Sequence, residues 1–382
     1  MNALAAPAFT VDEYRSRVAQ VQAGMRALEV DALLVRDRAN ICYLTGFENC
    51  YMVAYYAAIV PASGDPVLLA SEFEMLNALI SSWCDVRVTF PVLSDPIATT
   101  CRTIEERGWA KGRIGVESRS LTAHEYRAIS ERLPQITLVD VKNLIAEVKV
   151  IKSPAEIEYL RQAGRLTTKG VMAAVAEIAA GNTDNQAAAA AASAMTKGGS
   201  EFMCMEPIVT VGQRCGVPHT TFRRTVIQPG DSVLVEAAAC VCRYSAPLMR
   251  TAVVRPISDA IRRAADACRD SLNVLLEQMR PGNLASDAAK RARAAWSPLC
   301  DQLIWHGIYA YSVGLGFPPD WNDAPLCVQE NADFELRPGM CFHATTSLRQ
   351  GGQFGTAMSE TVLITERGNE LLTDAPRELF VI

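Results

Sequence analysis

VPHTTFRRTVIQPGDSVLVEAAACVCRYSAPLMRT, residues 217–251, is the stretch whose reading decides the fold. Pro229-Gly230 marks a turn, and the apolar run that follows, Ser232 to Glu236, reads as a strand. His219 stands before the turn and Glu236 ends the strand, so both side chains can point into one pocket. The rest of the chain reads as scaffold for that pair.

A chain of 382 residues exceeds the usual single-domain size and implies two cores. A net charge of -5 without a long run of Lys or Arg gives no electrostatic footprint for nucleic acid. The N-terminus lacks a basic flank followed by an apolar core, and no apolar run reaches a membrane span, so the expectation is a cytoplasmic protein with no membrane partner. The 12 cysteines form no C-x-x-C pair, which argues against a zinc ribbon and for small core residues. A small molecule is the expected partner.

Working outward, Thr10 and Glu13 have capping-box spacing before apolar Tyr14, Val18, Val21, Met25 and Leu28. Short apolar runs then alternate with helical stretches: strands at 31–35, 55–61, 66–69, 86–90, 113–116 and 136–139, helices at 96–107 and 122–133. That alternation predicts an α/β domain over residues 1–150 with a mixed sheet. No glycine-rich phosphate loop follows its strands, which argues against a nucleotide role. Ser153, Pro154 and Glu156 then combine a cap, a proline at the first helical position and a capping-box glutamate, opening a second domain over residues 151–382. An Ala-rich helix is expected from about Asp184 to Met195.

The second domain reads as an internal duplication. Gly181-Asn182 before Ala187-Ala188 recurs as Gly282-Asn283 before Ala288-Ala289, and Pro229-Gly230 before Ser232–Glu236 recurs as Pro338-Gly339 before Cys341–Thr345. Two such halves place Glu236 of one opposite Thr345 of the other, with a pocket between them.

These segments resemble the pita-bread family, which holds methionine aminopeptidase, the Xaa-Pro dipeptidases and creatinase. The resemblance rests on the capped helix from Ser153, Pro218-His219 ahead of Pro229-Gly230-Asp231, Tyr244 through Arg250-Thr251, and Pro338-Gly339-Met340 followed by Ser359-Glu360-Thr361. It implies an α/β N-terminal domain plus an α+β pita-bread C-terminal domain. The family's peptidases bind two metal ions with two Asp, one His and two Glu; the matching positions here are Glu236, Pro247, Tyr311, Thr345 and Ser359, with Glu360 as the alternative for the last. That set implies no metal and no cofactor. Arg243 through Thr251, Phe317-Pro318-Pro319-Asp320-Trp321 and Phe342-His343 are similar to the ectoine hydrolase group of the family. The resemblance also implies a homodimer in which the Tyr51–Tyr56 segment of one chain reaches toward the other's pocket.

Opening a cyclic amidine requires attack on an sp2 carbon between nitrogens and protonation of the departing nitrogen. Glu236 is expected as nucleophile or base, and His219, by resemblance, as proton shuttle. Substrate contacts are expected from Tyr311 by its hydroxyl, Trp321 by stacking on a planar cationic ring, His343 and Glu360. Arg250 is expected in an ion pair, with Glu360 as its candidate partner, and His124 and His306 read as structural or surface residues. Two alternatives stay open: a metal-dependent Xaa-Pro dipeptidase and a non-catalytic small-molecule-binding protein.

Overall fold

The computed structural model describes residues 7–51 and 54–382, so Met52 and Val53 of the Tyr51–Tyr56 segment and the first six residues lie outside the described residues. The chain forms two compact units, Met1–Lys149 and Val150–Ile382, divided one residue before the expected join. Among the described residues no helix is long and apolar enough to cross a membrane.

In the first unit the expected short apolar runs pair into one six-stranded mixed sheet. Ala32–Val35 lies centrally, parallel to Arg113–Val116 and antiparallel to Ala57–Pro61. Strands this apolar on both faces need cover on both. Helix Pro96–Glu106 and helix Ala123–Arg132 supply one side of it through Ile97, Ile104 and Ile129, packed with Leu34, Ile59 and Leu69. Each helix starts at a side-chain cap, Asp95 and Thr122. Helix Arg38–Thr45 was not anticipated; it is short, its N-cap is Asp37 and it ends on Gly46 at φ 74°.

The second unit carries the duplication as structure. The capping box of Ser153 and Glu156 opens helix Pro154–Glu177, and Thr183 with Gln186 opens the Ala-rich helix Asp184–Lys197, two residues longer than expected. That pair packs on a four-stranded sheet through Val171, Ala187, Ala191 and Val235. Helices Asp259–Gln278 and Ala285–Trp296 repeat the arrangement on a seven-stranded sheet through Leu272, Ala289, Phe342 and Val362.

Hydrogen bonding explains why the repeated Gly-Asn and Pro-Gly pairs recur. Gly181 and Gly282 both sit in the left-handed region, at φ 91° and 84°, as do Gly230 and Gly339 at 91° and 87°. The Asn182 and Asn283 amides each donate, at 2.8 Å, to a carbonyl five residues earlier, those of Glu177 and Gln278. Gly181 N–H donates to the Ile227 carbonyl, and Gly282 N–H to that of Leu336. Each Gly-Asn pair thus closes one helix and aims the chain at the next.

Five strands carry the candidate site: β1 (Ser232–Ala237), β2 (Leu248–Val253), β3 (Ala310–Phe317), β4 (Cys341–Gln350) and β5 (Phe354–Thr365). β1 and β2 pair antiparallel in the smaller sheet, with Glu236 opposite Met249. β3, β4 and β5 are neighbours in the larger one. The Ser359 hydroxyl accepts the Met249 N–H at 2.6 Å, and Thr251 Oγ1 donates to the Ala357 carbonyl at 2.9 Å, tying β2 to β5 across the sheets.

Candidate active site

Strand alternation selects the residues that meet. The β4–β5 register runs without a shift, pairing His343 with Thr361 and Thr345 with Ser359, so these four share one face. β3 adds Tyr311 opposite His343. Thr345 Oγ1 reaches the Met249 sulfur at 3.4 Å, and Thr361 Oγ1 donates to the Pro247 carbonyl at 2.8 Å. The five positions 236, 247, 311, 345 and 359 therefore converge, with one carboxylate among them.

Glu236 is 8% exposed among apolar neighbours. Burial pushes its carboxyl up to about 7, against the pull of the Arg349 charge. Tyr311 is held well above its ordinary value by burial and by Glu236, so its phenol keeps its proton. His343 is fully buried, and burial with the neighbouring His306 lowers it to about 3, so the ring is neutral at working pH.

A neutral ring has one N–H for two contacts: Nδ1 lies 2.6 Å from Tyr311 Oη, and Nε2 lies 2.6 Å from Ser359 Oγ. Ser359 Oγ already accepts from Met249 and is fully buried, so its own proton has only Nε2 as acceptor. Nδ1–H then donates to Tyr311 Oη, which also accepts the Trp321 indole N–H at 3.0 Å. With two donors on Tyr311 Oη, neither His343 nor Trp321 takes the phenol's own proton, and Glu236 lies within electrostatic reach of that phenol. This assignment follows from satisfying every buried polar atom.

The other expected residues fall differently. Trp321 is 2% exposed and hydrogen-bonded to Tyr311, so it orients the phenol and presents no open face for a ring to stack on. Glu360, expected as a substrate contact, alternates onto the face opposite Ser359 and is 1% exposed. It pairs with the buried Arg250 at 2.5 Å and accepts from Thr373; this corrects its assignment from the pocket to a buried ion pair. His219 is exposed in a turn at φ 56°, where Thr220 Oγ1 bonds back to the Val217 carbonyl. It lies within electrostatic reach of His306, not hydrogen-bonded to Glu236.

One residue near the site, Arg349, escaped the sequence reading. Arg349, at the end of β4, donates from Nη1 to the Cys215 carbonyl in the turn just before His219. Its backbone pairs with Ile304 in both directions, which brings in the His306 loop. Arg349 acts electrostatically on both Glu236 and His306.

The signature of metallopeptidase family M24 matches residues 158–366, and that of the creatinase/prolidase N-terminal domain matches residues 17–151. The chain belongs to family M24. Ectoine hydrolase of Halomonas elongata is 29% identical over 399 residues, with 98% of each chain covered. The Xaa-Pro dipeptidase of Pyrococcus horikoshii is 23% identical over 373 residues, covering 97% of this chain and 100% of that one. Among solved structures, a recombinant prolidase from Thermococcus sibiricus shares the fold at TM-score 0.88 and 20% identity, covering 97% of this chain and 99% of its own.

Membership of a metallopeptidase family raises the question of a metal pair. Hard divalent ions need several carboxylate or imidazole donors on one site. Here Tyr311 and Ser359 are engaged with His343, and Thr345 and Pro247 are neutral. Among the described residues no three His, Cys, Asp or Glu side chains come together as a metal-holding group. The donor set does not fit the two-metal centre.

Proposed function

We propose that this chain is a hydrolase that opens a small cyclic amidine, or cleaves a related C–N bond, without a metal, and that ectoine is the first substrate to test. The observation that carries the reading is Glu236, the one carboxylate among five convergent positions, with its carboxyl raised to about 7. A group tuned there exchanges protons readily at neutral pH. The likeness to ectoine hydrolase supports the substrate class.

The chemistry follows from the residues in place. Water adds to the sp2 carbon between the two nitrogens while Glu236 takes one of its protons, and the C=N electron pair moves onto nitrogen. One C–N bond then breaks as the new hydroxyl gives up its proton and becomes the amide carbonyl, and the departing nitrogen leaves as an ammonium carrying that proton and the one that Glu236 received, which returns Glu236 to its carboxylate. In the covalent version a Glu236 oxygen adds to the same carbon and water cleaves the adduct. Tyr311, oriented by His343 and Trp321, donates its O–H toward the charge that builds during addition. His219, the expected proton shuttle, stands three residues beyond the 3-10 turn Gly212–Gly216, which Arg349 holds through the Cys215 carbonyl.

Two outcomes are expected. Tyr311→Phe lowers kcat about a hundredfold with little change in KM, because the hydrogen bond matters most in the transition state. The pH profile of kcat/KM rises about tenfold per pH unit up to about 7, where the Glu236 carboxylate forms, and then levels off. Ectoine followed by proton NMR in the presence of a chelator tests the reading itself: ring opening supports it, and an unchanged spectrum refutes ectoine as substrate.

A further inference from the structure

The side-chain row of β4 that faces the site runs His343, Thr345, Ser347, Arg349. The first two are hydrogen-bonded within the protein, as described above. The last two are not fully engaged. Ser347 is 3% exposed, and its hydroxyl has no hydrogen-bond partner. Arg349 donates from Nη1 to the Cys215 carbonyl, and among the described residues no carboxylate forms an ion pair with its guanidinium. The orphaned Ser347 hydroxyl is costly without a partner, and beside it the half-buried Arg349 has guanidinium nitrogens left over for a ligand. Arg349 lies close enough to act on Glu236 without pairing with it, so it is not simply the counter-ion of that carboxylate.

We infer that Arg349, with Ser347 beside it, anchors a carboxylate on the substrate, so that the site takes C–N compounds bearing an acid group. The guanidinium fork matches a carboxylate in a way that few other ligands satisfy. The two poles are complementary to a zwitterion: the amidinium carbon faces the Glu236 carboxylate, and the acid group faces Arg349. His306 lies within electrostatic reach of both Arg349 and His219, so basic side chains gather at that end of the site. Arg349 also holds the turn that leads to His219 through the Cys215 carbonyl, so a bound carboxylate locks the ring and that turn on one cation. This inference rests on the proposed amidine-hydrolase reading for its ring chemistry, but the anion site stands on its own geometry.

The test measures dissociation constants by NMR for three probes: ectoine, the same ring without its carboxylate, and proline, a ring carboxylate without the amidine. Wild type is expected to bind ectoine about ten- to a hundredfold more tightly than the ring alone, the worth of one charge-assisted pair. Arg349→Met is expected to lose that preference and leave binding of the ring alone unchanged, whereas Arg349→Lys keeps part of it. Melting curves check that the variants remain folded. If proline binds through Arg349 and ectoine does not, the substrate reading fails and the anion site holds. Equal binding of ectoine and the bare ring to wild type overturns the inference. So does an equal loss for both in Arg349→Met, or no carboxylate-dependent binding of any probe.

Discussion

Replacing Glu236 by Gln is expected to reduce turnover about a thousandfold or more while making the protein more stable at neutral pH. The rate falls because the amide neither accepts the proton of water nor attacks carbon. The stability gain has a defined sign. Burial raises the folded-state carboxyl from 4.5 to about 7, so the folded chain holds this proton more tightly than the unfolded one. The associated stabilisation is complete below pH 4.5 and disappears as pH rises through 7. Above that window the ionised, desolvated carboxylate costs up to about 3 kcal/mol, which Gln avoids apart from the cost of burying its amide. Urea melts at pH 5 and pH 8 check this: the variant's advantage should appear at the higher pH and shrink at the lower. A structural role for Glu236 gives the opposite result, a variant less stable at both.

Arg250→Met is expected to destabilise the second unit by about 3–5 kcal/mol. Its fully buried guanidinium donates to four carbonyls, those of Met249, Ser359, Ala375 and Pro376, at 2.6–2.8 Å, and pairs with Glu360. Burial pushes the Glu360 carboxyl up and the Arg250 guanidinium down, each opposed by the partner's charge. Removing the cation strands a buried carboxylate and four acceptors together. The double replacement Arg250→Met with Glu360→Met should recover part of the loss, since no unpaired charge remains. Glu360→Gln separates structure from chemistry: denaturant melts should show the loss while KM stays within about twofold, as expected for a residue on the far face of β5. A KM raised tenfold or more would return Glu360 to the substrate.

Much of the fold was legible because it is written in local signals. Ser153 with Glu156 is a cap wherever it occurs, and the repeated Gly-Asn and Pro-Gly pairs recur because the same left-handed turns do. Helix Arg38–Thr45 was not legible, since eight residues give too little periodicity to stand out from a loop. At the site, Glu236 was legible at the end of the strand Ser232–Glu236, whereas the pairing of Tyr311 with His343 was not: each was read as a substrate contact, and only the β3–β4 register brings them together. Arg349 was not, because the strand was read as ending at Thr345 when it runs to Gln350. Five more residues of alternation place Ser347 and Arg349 on the same face as His343. Trp321 was read from its ring, whereas its buried N–H decides its role. Glu360 and Ser359 are neighbours in sequence, and only the register tells which faces the site.

The central claim is hydrolysis by Glu236 without a metal, and the most direct measurement is ectoine turnover by protein dialysed against chelator, with and without added manganese. The account predicts the same rate in both, lost in Glu236→Gln, and no cleavage of Pro-dipeptides. Activity that vanishes on chelation and returns with manganese, or cleavage of a Pro-dipeptide under those conditions, would contradict it.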